Sequence, residues 1–106
     1  MSLFKKNWYV ISYTTGTPTP LVAEPAIIAT IVLNNASSSD ITVEVTMWDT
    51  LGNVELAPIV VPFILGIGET KILDFNSFAV MDNQAIYVEA SGAGAGFFAS
   101  GVQEVL

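Results

Sequence analysis

Cysteine, histidine and arginine are absent from the 106-residue chain, and lysine occurs only at Lys5, Lys6 and Lys71. Without cysteine there is no disulfide framework and no thiolate metal site, so zinc fingers are excluded and the redox compartment is left open. Without histidine there is no imidazole base, and the triads that depend on one are excluded with it. A serine–lysine pair needs a desolvated lysine. Lys5 and Lys6 stand near the N-terminus and Lys71 opens a strand, so none fits. No catalytic residue, metal ligand set or cofactor site is expected.

Positive charge is scarce as a whole. Ten Asp and Glu face three Lys, giving a formal net charge of −7. Nucleic-acid binding draws most of its affinity from basic side chains on phosphates, so no contact with DNA or RNA is expected. Long hydrophobic runs are missing too: the longest, LAPIVVPFILGIG at 56–68, falls short of the roughly 20 residues of a membrane helix and carries Pro58 and Pro62. The apolar WYVI after the first two lysines is too short for a secretion signal. No membrane segment is expected.

What remains is apolar and weakly charged, 52% against 12%. A fold of this composition leaves apolar area on its surface, which points to protein partners. The length fits one domain over residues 1–106, with 1–6 as a flexible arm whose Leu3 and Phe4 dock on another subunit.

Short strands and turn signals alternate throughout. NWYVISY (7–13) reads as a strand, TTGTPTP as a loop, and LVA as a brief return to strand. AIIATIVLNN (26–35) reads as a strand buried on both faces. ITVEVTMW alternates strictly, with Ile41, Val43, Val45 and Met47 on one face and Thr42, Glu44, Thr46 and Trp48 on the other, the period of a half-solvated antiparallel strand. VELAPIVVPFIL (54–65) reads as two short strands broken or bulged at its prolines. TKILDF is a strand, FNSFAVM includes one helical turn, and AIYVEA and FFASGVQEV close the series. About eight short strands imply an all-β fold, an antiparallel β-sandwich that is either a jelly roll or immunoglobulin-like.

SGAGAGFFASG (91–101) contains Gly94, Gly96 and Ala99 at the spacing of a dinucleotide-binding turn. That fingerprint needs a helix after it and a second parallel strand, but the chain beyond Gly96 is short, aromatic and glycine-interrupted. The stretch is read instead as a small-residue connection between antiparallel strands. Asp40, Asp49, Asp74 and Asp82 fall at turns or on polar faces, where they cap and face water rather than pair for glycoside hydrolysis. No run of oxygen ligands suits a calcium loop.

The aromatic residues are more informative. Trp48 lies on the Thr/Glu face of its strand, where a loop of the same chain or a neighbouring subunit must cover it. Trp8 and Tyr9, and likewise Phe97 and Phe98, are adjacent in strands, so one ring of each pair enters the core and the other faces outward. Candidate interface residues are therefore Leu3, Phe4, Trp8, Tyr9, Trp48, Phe97 and Phe98.

IIATIVLNNASSSDITVEVTMWD, VPFILGIGETKIL and DNQAIYVEASGAGAGFFASGVQEV together resemble a pattern in small β-sandwich virion proteins of tailed bacteriophages, over roughly residues 21–105. Asp82-Asn83 departs from the Gly-Asp of that pattern. The resemblance implies a non-enzymatic virion subunit: a capsid decoration or cement protein, or a part of the neck, tail or baseplate. Its partners would be the major capsid protein or other virion subunits, and further copies of itself as a dimer or trimer. The acidity favours the outer capsid surface over a DNA-filled lumen. An alternative reading is a carbohydrate-binding module in which Trp48, Tyr87 or Trp8 stacks on sugar rings.

Overall fold

A computed structural model describes residues 2–10 and 17–105. It contains eight strands: β1 (Ser2–Val10), β2 (Thr19–Val22), β3 (Ala26–Asn35), β4 (Ile41–Asp49), β5 (Val54–Leu65), β6 (Thr70–Val80), β7 (Gln84–Ala90) and β8 (Ala95–Val105). They form two four-stranded sheets, ordered β1-β8-β3-β6 and β2-β7-β4-β5. The first strand pairs with the last, the second with the seventh, the third with the sixth and the fourth with the fifth, all antiparallel. This is a long hairpin rolled into a sandwich, the jelly-roll arrangement, which excludes the immunoglobulin-like order.

Alternation builds the core. Ile41, Val43 and Val45 of β4 share one buried cluster with Ile28, Ile31 and Leu33 of β3, joined by Ile86 and Val88 of β7 and Phe97 of β8. β3 departs from the expected two-sided burial: its inward side chains are buried, while Ile27 is 48% exposed. A sandwich covers only one face of each sheet, so an apolar outer face on β3 has no second layer to meet.

Three more expectations change. Residues 2–6 form no arm but the first half of β1, in register with β8 from Ser2 opposite Val105. Lys6 Nζ bonds to Glu24 Oε1, and the Trp8 Nε1–H donates to the same oxygen at 2.7 Å, tying β1 to the turn between β2 and β3. The expected extension of the first strand to residue 13 lies outside the described residues. VELAPIVVPFIL is one strand, not two, and it is bulged rather than broken: it has three register shifts against β4, two of them at Pro58 and Pro62. FNSFAVM forms no helical turn: β6 runs through it, with extra residues relative to β3 and Asn76 at φ 66°.

The glycine-rich connection links β7 of one sheet to β8 of the other, so it is an arch between layers rather than a hairpin. Gly94 has φ 95°, and a Cβ there would meet the Ser37 Cβ at 2.9 Å, so the arch packs on the β3–β4 turn. Inside β8, a Cβ on Gly101 would lie 2.1 Å from the Ile27 carbonyl oxygen. That close approach sits beside the shift in β3 register between Ile28 and Thr30, where one extra residue opposes β8.

Candidate interaction surface

Strand register decides which aromatic rings reach the surface. Trp8 is 8% exposed and Phe97 is fully buried, so each is the core member of its pair. Tyr9, 64% exposed, and Phe98, 37% exposed, are the outward members and stand directly opposite one another across β1 and β8. Phe98 also stands opposite Val32 on β3, and Val32 opposite Ile72 on β6. Tyr9, Phe98, Val32 and Ile72 thus form one apolar row, one residue per strand, across the outer face of the β1-β8-β3-β6 sheet.

The rows beside it are polar but nearly uncharged. Asn7, Ser100, Thr30 and Asp74 flank it on one side, and the Thr30 hydroxyl donates to Asp74 Oδ1 at 3.2 Å. Between the two rows runs a groove of about 360 Å³ bordered by Tyr9, Phe98, Val32, Asn7, Thr30 and Ser100. Further along, Ile27 and Val102 face Lys5 and Ala79 and extend the apolar surface.

Charge divides between the layers. All three lysines belong to this sheet, on β1 and β6, where the strands also carry Asp74 and Glu104. The strands of the opposite sheet carry Glu44, Asp49, Glu55 and Glu89 and no lysine. Lys71 reaches over the Phe63 ring of β5 at 5.8 Å, which leaves Lys5 and Asp74 in the rows beside Tyr9 and Phe98. This face is therefore apolar and close to neutral, and the other is acidic.

The acidic face holds Trp48. Its ring stacks on Tyr87 at 4.6 Å, and its Nε1–H donates to Thr46 Oγ1 at 3.0 Å. Tyr87 of the adjacent strand β7 covers one side of the ring, which stays half-buried. Glu44 and Glu89 stand directly opposite on the same face. Burial first, and the Glu89 carboxylate second, push the Glu44 carboxyl above its ordinary value. The expected turn roles of two acids are visible: Asp49 Oδ1 accepts from Leu51 N at 3.0 Å and Asp40 Oδ1 from Ile67 N at 3.1 Å.

Of the remaining candidates, Phe4 is 54% exposed on β1, and the side chain of Leu3 lies outside the described residues. Sequence reasoning missed Val32 and Ile72, which join the row only through strand order. It also missed the exposed side chains of β5.

No protein-family model and no curated protein matches the chain. Among solved structures it is similar to one described as PirA, at 16% identity and TM-score 0.45, covering 93% of each chain. It is also similar to the Tobacco streak virus coat protein dimer, at 13% identity and TM-score 0.45, covering 98% of this chain and 88% of that one. A C2 crystal form of the same coat protein gives 13% identity and TM-score 0.43, covering 98% and 89%.

Proposed function

We propose that the chain is a non-enzymatic structural subunit of a tailed-phage virion, and specifically a decoration or cement protein on the outer capsid surface that bridges major capsid subunits. The observation that carries this reading is the row Tyr9, Phe98, Val32 and Ile72, which lays apolar and aromatic surface across a whole sheet. Surface of this kind, rimmed by polar groups that carry little charge, has the anatomy of a protein interface. A jelly roll serves capsid proteins, lectins and cupins alike, so the weight rests on the surface rather than on the architecture.

The charge division supports an orientation. With the near-neutral sheet against the shell, the acidic sheet faces solvent, and the facing pair Glu44 and Glu89 is kept out of the contact. Binding that exists only in the assembled particle stabilises that state by mass action, by about 2.7 kcal/mol per site at a hundredfold excess over Kd. Bridging subunits in this way raises the resistance of the shell to heat and internal pressure.

The test compares particles with and without the protein. Complete particles are expected to release their DNA at a higher temperature, and Tyr9→Asp and Phe98→Asp to lower occupancy on the shell while leaving the isolated subunit folded. Equal heat stability of the two kinds of particle would remove the cement role. Cryo-EM density at the tail rather than the shell would move the subunit there.

A further inference from the structure

Strand β5 comes from the longest apolar run of the chain, yet of its twelve residues only Leu65 is fully buried. Val54 is 54% exposed, Leu56 54%, Val61 75% and Ile64 68%. The strand lies at the free edge of its sheet. Pro58 and Pro62 have no N–H to offer there, so an added strand cannot continue the ladder along it. Side chains rather than backbone are what this edge presents.

The segment is nearly symmetric about Val60. Ile59 and Val61, Pro58 and Pro62, and Leu56 and Ile64 stand at equal distances on either side of it. A two-fold contact requires a self-complementary surface, in which one residue meets another and is met by it in return. Laid antiparallel on a second copy about an axis at Val60, Leu56 meets the partner's Ile64, and the outward Val61 lies beside the axis.

Charge selects the same occupant. Residues 56–68 contain no charged side chain. A second copy, itself at −7, is repelled by the acidic faces but not by this strip, and neither an acidic nor a basic partner gains anything from it. Val54, Leu56, Val61, Ile64 and Ile67 leave on the order of 500 Å² of apolar surface open, to which the exposed Pro58 and Pro62 add, against about 800 Å² per partner in a standard interface.

We propose that the chain forms a two-fold symmetric homodimer through β5, with the axis at Val60. The dimer does not rest on the virion role, and it leaves the row of Tyr9 and Phe98 free for a different partner.

Sedimentation velocity on the full chain at micromolar concentration tests it. The expected species has twice the 11.3 kDa mass of the chain, and it tightens as salt screens the repulsion between two acidic copies. Val61→Asp is expected to give a monomer with an unchanged far-UV circular dichroism spectrum, and Tyr9→Asp to leave the dimer intact. Leu56→Lys and Ile64→Glu should each be monomeric alone. Mixed, they should pair about tenfold more tightly than either does with itself, because Lys then faces Glu across the axis. A monomeric wild type, a dimer that survives Val61→Asp, or a mixture that fails to pair would overturn the proposal, whatever the particle experiments show.

Discussion

The rings of Trp48 and Tyr87 lie 4.6 Å apart and within 20° of parallel on the acidic face of the sandwich. Beneath them Thr46 is 8% exposed; its hydroxyl accepts from Trp48 and donates to the Tyr87 carbonyl oxygen at 3.4 Å. Stacked pairs contribute about 0.5–1.5 kcal/mol beyond the area they bury. A double-mutant cycle on Trp48→Leu and Tyr87→Leu, measured by urea denaturation, is expected to return a coupling energy in that range. A coupling near zero would mean that the two rings share the face without supporting each other.

Asn35 is 1% exposed and uses both ends of its amide. Its Nδ2 donates to the carbonyl oxygens of Ser39 at 2.8 Å and Leu65 at 3.0 Å, and its Oδ1 accepts from the Ser37 N–H at 2.9 Å and hydroxyl at 2.6 Å. One side chain thus joins the β3–β4 turn to the end of β5. Asn35→Asp replaces the donor by a carboxylate facing two carbonyl oxygens, and is expected to destabilise the fold by about 2–4 kcal/mol at neutral pH. Acid should restore part of the loss by protonating that carboxyl. Thermal melts at neutral and acidic pH check both statements.

Two glutamates should pull the pH dependence in opposite directions. The hydrogen bond from Lys6, aided by that from Trp8 and opposed by desolvation, holds the Glu24 carboxyl below its ordinary value of 4.5. Its stabilisation is fully present above 4.5 and is lost as the pH falls through its lowered folded value. Burial and the facing Glu89 hold Glu44 above 4.5, so its ionisation destabilises the fold at neutral pH and that cost disappears as the pH falls to 4.5. Glu44→Gln is therefore expected to stabilise and Glu24→Gln to destabilise at neutral pH, each by about 0.2–1 kcal/mol for partly exposed groups. Below pH 4.5 the Glu44→Gln gain should be gone while the Glu24→Gln deficit is still fading. Urea midpoints across this interval separate the two.

The sequence shows elements whose periodicity is local. Alternation places Val43 and Val45 inside, and adjacency splits Trp8 from Tyr9 and Phe97 from Phe98, because successive side chains on a strand must face opposite ways. Bulges defeat such counting. The extra residues in β6 bring Phe75 and Phe78 to 5.6 Å, and their spacing of three imitates a helical turn. Strand order is not local at all, so neither the partners of Phe98 nor the choice between two sandwich topologies could be read. Nor could the exposure of β5: an apolar run announces that something covers it, not whether the cover belongs to the same chain.

The pairing of β1 with β8 also sets an order of events. Ser2 finds Val105 only after everything between them has been made, and Trp8 cannot close into the core before Ala99 lies opposite it. Contacts between such distant parts of a chain carry a large closure entropy, and folds dominated by them assemble in milliseconds to seconds rather than microseconds. During synthesis the aromatic first strand waits unpaired for its neighbour. Chaperone capture and self-association compete with folding in that interval, so the yield of soluble subunit is governed by a delay as well as by the final stability.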